Sequence, residues 1–596
     1  MSSDSTPVVD PTYLDASLPV DERIANLLGQ MTLEEKAGLF FHTVAVPGQD
    51  GAVVEDDPVF GMTSVTELIA AGLNHFNLLG SAPDARAMAA WHNTVQRAAA
   101  ETRLGIPVTI STDPRHAFSD NPAAAMMAGP FSQWPEPLGL AAIGDPDTVE
   151  RFADIARQEY TAVGIRVALH PQIDLATEPR WSRQNHCFGE DADLTSRLGA
   201  AYVRGFQGGA LGTESVSAMA KHFPGGGPQK DGEDPHFAHG REQVYPGDNF
   251  DYHLKPFEAA FEAGVSQIMP YYGMPVGTEY EEVGFSFNKS VVTRLLRDRY
   301  GFDGIVCTDW GLITDREVFG QPFPARAWGV EHLNERERML RLLDAGVDQF
   351  GGEQNVGMLV ELVRSGTVDE QRLDISARRI LREKFVLGLF DHPYVDEGRA
   401  ERAVGSAEFR AAGAAAQRAA FTVLTNRQDA QGTPVLPLAR GSRIHVRGID
   451  PELAATYGTV VDDPASADVA IVRIAAPFEP RTDILESMFH SGSLDFPAEQ
   501  LDELRTLART VPTVLDIYLE RPAVLTPLVD EAAAIVVDFG ADDKAALDVL
   551  FGIAEPRGAL PMDLPRSMDA VLASRSDVPF DTADPLFRFG HGLRLR

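Results

Sequence analysis

One repeated unit limits this fold more than any other feature. A short apolar run ends on a polar residue, and a longer amphipathic stretch follows. Residues 106–111 lead to Asp113, 167–170 to Asp174 and Arg180, 216–220 to Lys221 and His222, and 265–269 to Tyr272. Residues 304–308 lead to Asp309 and Trp310. Before them comes a helical pattern with Val291, Leu295 and Leu296 on one face, then a turn at Gly301 and Gly304. Further helical patterns cover 147–163 and 335–345. Strands alternating with helices over this length predict a parallel sheet closed into a (β/α)8-type, TIM-like barrel. The C-terminal strand tips of such a barrel are where chemistry sits.

The pattern changes near residue 390. An acidic, turn-bearing piece and an Ala-rich helix intervene, and a second alternation then runs through 444–447, 469–472, 513–517 and 534–537. It predicts an open α/β sheet domain of about 180 residues, a normal domain size. The expected organisation is a loose N-terminal arm over 1–20, a barrel over 21–390, a linker over 391–410 and an α/β sandwich domain over 411–596. Thr32 and Glu35 have the spacing of a helix capping box.

Composition removes several functions. The formal charge of −35 opposes binding to nucleic acid or to an anionic membrane, since both call for a positive surface. No apolar run reaches membrane-span length, and the first residues lack a basic-then-apolar leader. Cys187 and Cys307 form no disulfide framework and fit a reducing cytoplasm. Gly225–Gly227 lacks the lysine and spacing of a phosphate loop. His222, His236 and His239, with Asp231, Glu233 and Asp234, lack metal-ligand spacing, so neither metal nor cofactor is expected. The oligomeric state stays open, a homodimer among the options.

Carboxylates, cations and aromatics converging on one barrel mouth suit a sugar. Asp and Lys take hydroxyls, and Trp covers the apolar face of the ring. Several segments resemble glycoside hydrolase family 3. GFDGIVCTDW is similar to its nucleophile run GF-x-G-x-V-x-(S/T)-D-W. IPVTISTDPRHA, EPRWSRQNHCFGED, AKHFPGGG and IMPYYGMPVG resemble its other barrel segments, as DERIANLLGQMTLEEKAGLF and DPLFRFGHGLRL resemble its beginning and the close of its second domain. The resemblance implies that Asp309 attacks the sugar and that Asp113, Arg180, Lys221 and His222 hold its hydroxyls. It places Tyr272 beside the nucleophile. His186 stands where relatives usually carry a Glu that fixes the pocket cations.

A retaining glycosidase needs a second carboxyl group about 5–5.5 Å from the first. In the family it usually comes from the second domain, here from the loop APFEPRTDILESMFHSGSLDFP. Glu479 lies just past a strand, with Arg481 near enough to keep it ionised. Glu486 lies eleven positions before Pro497, the spacing seen in some plant relatives. Both remain candidates. The expected function is a retaining, exo-acting β-glycosidase, foremost a β-glucosidase. A β-xylosidase is the near alternative, and an N-acetylglucosaminidase fits less well because Gly226 replaces the His of its P-G-H-G loop. A sugar-binding protein without activity on the same fold is the rival from another class.

Overall fold

The computed structural model describes residues 9–48, 52–53, 56–57, 62–80, 84–119, 121, 124–318, 321–428 and 431–595. Among them eight strands close a barrel in chain order: β1 (Phe41–Ala45), β2 (His75–Leu78), β3 (Thr109–Thr112), β4 (Ile165–Ala168), β5 (Ser217–Phe223), β6 (Gln267–Pro270), β7 (Ile305–Trp310) and β8 (Gln349–Gly351). Every neighbouring pair is parallel, β8 against β1 included. The strands are buried on both faces, one covered by the outer helices and one by the barrel interior, and they mix apolar residues with buried polar ones such as His42, His75, Asn77, Ser111 and Gln267. Val167, Leu169, Met219, Met269 and Cys307 fill that interior. The expected barrel is therefore present.

Two irregularities in the barrel ladder matter for the site. The register shifts between Lys221 and Phe223 in β5, and between Cys307 and Trp310 in β7. An extra residue re-aims the side chains beside it. Here both breaks fall at polar strand tips. The segment before β7 is helical as expected, but Ser290–Arg299 winds as a π-helix, with Val291, Val292, Leu295 and Leu296 buried.

The base of the barrel is sealed by the helix Glu370–Val386. Lys384, buried on that helix, donates to Asn74 O (3.1 Å), Pro107 O (2.9 Å) and Thr109 Oγ1 (2.7 Å). Burial pushes its ammonium pKa well down.

The second sheet has the order β9 (Thr422–Asn426), β14 (Ala534–Asp538), β13 (Thr513–Tyr518), β12 (Val469–Ala475), β10 (Arg443–Arg447), β11 (Thr459–Val460). All pairs are parallel except β9 with β14. Separate apolar clusters lie on its two faces, one around Val472, Leu515 and Val537, the other around Ile471, Val514 and Val536. This alternation of neighbours along each strand makes the α/β sandwich.

Residues 1–8 of the expected loose arm lie outside the described residues; over 9–20 most side chains are exposed, but the stretch is anchored at one point. Tyr13 is buried, its hydroxyl donates to Leu104 O (2.8 Å), and Arg23 Nε donates to its carbonyl (2.7 Å). A lone aromatic in a polar, Pro-bearing stretch carried that anchor. The capping box at Thr32 and Glu35 forms with both hydrogen bonds.

The sheet domain is fastened to the barrel by buried polar groups. Glu190 accepts hydrogen bonds from Asp563 N (2.9 Å) and Phe580 N (2.7 Å). Arg521, fully buried, donates to Arg180 O (2.9 Å) in the barrel domain. The same guanidinium donates to Pro477 O (2.6 Å), Ser491 O (3.1 Å), Gly492 O (3.0 Å) and Ser493 O (3.0 Å). It thus grips both ends of the loop 477–493, which reaches over the barrel mouth.

Candidate active site

The strand tips and that loop enclose a cavity of about 210 Å³. This is below the ~300–1,000 Å³ of drug-sized sites and suits one sugar ring. Its floor is polar. Asp113, one residue past β3, accepts from Lys221 Nζ (2.9 Å) and from Asn77 Nδ2 (3.2 Å). Arg183 donates through Nη2 to Gln172 Oε1 (2.8 Å) and through Nη1 to His222 Nε2 (3.1 Å). His222 Nδ1 donates in turn to Asp174 Oδ2 (2.8 Å), which assigns the tautomer of the ring.

Charges in this floor are set by burial and by neighbours. Burial first, and then the Arg183 guanidinium, push the His222 pKa well down, so the ring is neutral and can accept from Arg183. Burial raises Asp174 to about 6 despite the backbone N–H groups of His222 and Gly226. Burial opposes the charge on Arg183, but Tyr271, Asp234, Asp309 and Asp174 outweigh it and raise its pKa.

Asp309 stands at the β7 register break. Its Oδ1 accepts from Trp310 N (2.9 Å). Its Oδ2 is buried and has no hydrogen-bond partner among the described residues; His222 Nε2 lies 3.7 Å away. Tyr272 is tied to the backbone next to it, with its hydroxyl 2.9 Å from both Trp310 N and Trp310 O. Trp310 lines the cavity, and its indole Nε1 has no hydrogen-bond partner among the described residues. Asp113, Lys221, His222, Tyr272, Asp309 and Trp310 therefore converge as the sequence predicts.

Arg180 does not. Its guanidinium pairs with Glu178 (2.8 Å) and Asp231 (3.6 Å), and it does not line the cavity. Arg183, in the same P-R-W-x-R segment, does. The signal was local: Glu178 lies two residues from Arg180 and satisfies it within the turn, which leaves Arg183 to the pocket. His186 is buried, and neither ring nitrogen has a hydrogen-bond partner among the described residues. The cations that a Glu there would fix are held instead by Asp113, Gln172 and His222.

Neither acid/base candidate lines the cavity. Glu479 is exposed at the root of the loop, against Gly492. Arg481 does not hold it, pairing instead with Glu233 (2.6 Å). Glu486 lies in a short turn, Glu486–Met488, with its carboxylate 3.8 Å from His239 Nδ1. Its neighbours Leu485, Met488 and Phe489 do form cavity wall, and Asn121 Nδ2 donates to Met488 O (2.9 Å). His236, set aside with the metal candidates, also lines the cavity. Its Nδ1 lies 2.6 Å from Asp234 Oδ1, and this contact with the Arg183 charge holds Asp234 at about 2 despite burial.

Residues 49–383 match the description "Glycosyl hydrolase family 3 N terminal domain", and residues 412–595 match "Glycosyl hydrolase family 3 C-terminal domain". The chain belongs to glycosyl hydrolase family 3. It is 51% identical over 588 residues to "Beta-glucosidase C" of Emericella nidulans, covering 98% of this chain and 94% of that protein. It is 42% identical over 604 residues to the "Periplasmic beta-glucosidase/beta-xylosidase" of Dickeya chrysanthemi, covering 98% and 91%. A β-glucosidase structure from Listeria innocua in complex with isofagomine superposes with TM-score 0.74 at 22% identity, covering 96% of this chain and 83% of that one. At that identity the Listeria structure speaks for the fold alone.

Proposed function

We propose that this family 3 glycoside hydrolase is an exo-acting β-glucosidase that retains anomeric configuration through a covalent glycosyl-enzyme on Asp309. The observation that carries the reading is the unpartnered, buried Oδ2 of Asp309 above a floor of Lys221, Arg183 and His222. A buried carboxylate oxygen left without a donor is costly unless a substrate atom takes the place. Asp113 and Lys221 take hydroxyls of the terminal sugar, Arg183 adds donors, and Trp310 covers the ring face. The names of the relatives, a β-glucosidase and a β-glucosidase/β-xylosidase, support glucose, with xylose as the second substrate to test.

For the acid/base we favour Glu486 over Glu479. The turn of Glu486 is flanked by the cavity-wall residues Leu485, Met488 and Phe489, whereas Glu479 is exposed at the root of the loop. A second reading rests on one observation: the His236–Asp234 pair already faces the cavity. Removing the true acid spares dinitrophenyl glucosides in the first step and cripples cellobiose, because an activated leaving group scarcely needs a proton. Azide then restores turnover and yields a β-glucosyl azide. The expected pattern is rescue of Glu486→Ala, with none for Glu479→Ala or His236→Ala. Rescue of another variant moves the role to that residue. A cytoplasmic location belongs to the same proposal, supported by Cys187 and Cys307 being buried and unpaired.

A further inference from the structure

The cavity is divided by chemistry. Its floor holds the charged and amide groups described above. Its rim is apolar: Phe237, Phe323, Leu485, Met488 and Phe489 face inward, and Arg326 is the cation among them. The rim is continuous. Phe489 lies 5.4 Å from Phe237, edge to face, and 4.9 Å from the His236 ring, which lies 4.7 Å from Tyr272. Across from them, the Arg326 guanidinium lies over the Phe323 ring at 4.1 Å and over Tyr272 at 5.5 Å. Phe237, Phe323, Leu485 and Met488 are only partly buried, so their free faces are turned to whatever enters.

With the sugar seated on the floor, its aglycone passes through this rim. Resting on the β-glucosidase reading, we propose that the leaving group this rim accepts is an apolar one carrying an aromatic ring, rather than a second sugar. The glucose that leaves a disaccharide brings several hydroxyls out of water, and among the described residues the side chains of Phe237, Phe323, Leu485, Met488 and Phe489 offer nothing to meet them; each unmet group is unfavourable. A phenyl ring gains from burial against Met488 and the phenylalanines, where the methionine adapts to its shape. The Arg326 guanidinium, lying over Phe323 and Tyr272, holds those two rings in the rim.

The test compares kcat/KM for methyl β-glucoside, 2-phenylethyl β-glucoside and cellobiose. All three release alcohols, so the contrast lies in the rim and not in an activated phenol. The expected result is at least a tenfold advantage of the phenylethyl compound over both others. Leu485→Ser/Met488→Ser should shrink the phenylethyl-to-methyl ratio to threefold or less. That ratio is taken within one protein, so a loss of folded enzyme cancels. Cellobiose equal to or better than the phenylethyl glucoside overturns the inference, as does an unchanged ratio in the double variant. Cleavage of none of the three removes the β-glucosidase reading and this one with it. Cleavage of all three at similar rates removes this one alone.

Discussion

Asp309 and the two arginines give the sharpest tests at the scale of single residues. Asp309→Asn keeps the shape and removes the attacking charge, so kcat/KM on an aryl glucoside should fall at least ~10³-fold, several kcal/mol of transition-state stabilisation. Wild-type turnover in that variant would remove the nucleophile assignment. Arg183→Met takes away the guanidinium that donates to His222 and faces the cavity, and should lower kcat/KM by ~10²-fold or more, as expected for a charged group lost from a buried site. Arg180→Met should stay within a few-fold, because that side chain serves a turn; equal losses in both would return Arg180 to the site. Legibility divided along the same line. Strand-tip residues such as Asp113, Lys221, Asp309 and Trp310 were readable because β/α alternation fixes where a tip is. Arg183 and His236 sit in irregular loops, where sequence gives the residue types but not which of two arginines turns inward.

Among the elements, the loop 477–493 does the most for function while having little regular structure of its own. Its two ends are drawn together by a buried cation, Arg521, whose pKa burial lowers to about 10 and which meets carbonyl oxygens alone. Arg521→Met leaves those carbonyls without a donor. The expected loss is about 2–4 kcal/mol of stability, with faster proteolysis within the loop and a raised KM for glucosides. A variant with wild-type proteolysis and KM would show that the loop is held by other contacts. None of this was legible in the sequence: an arginine just after an apolar strand reads like any surface cation. The closed barrel and the sandwich were legible, since strand and helix periods repeat many times. The π-helical winding of Ser290–Arg299 and the anchoring of Tyr13 were not, because both depend on what packs against them.

For the molecule as a whole, Glu190 couples the joining of the two domains to pH. Burial raises its pKa from 4.5 to about 8, and the N–H groups of Asp563 and Phe580 offset this only in part. The folded chain therefore holds this proton across a window in which the unfolded chain has lost it. Its contribution to stability is steady below pH 4.5, declines as pH rises toward 8, and is steady again above that. Within the window the slope is at most ~1.4 kcal/mol per pH unit. Glu190→Gln should flatten the fall of Tm between pH 5 and 8 in buffers of equal ionic strength, whatever it does to the absolute value. An unchanged slope would assign the pH dependence to other groups.

The sealed base has a consequence for traffic through the enzyme. The helix carrying Lys384 closes one end of the barrel, and Leu169, Met219, Met269 and Cys307 fill the space above it. Among the described residues the cavity opens at the rim. A released sugar must then leave by the door through which the next molecule arrives, and only after the aglycone has cleared it. Free glucose should therefore compete with substrate rather than slow the enzyme from elsewhere, and a crowded rim should hold the sugar in place for transfer to an incoming alcohol.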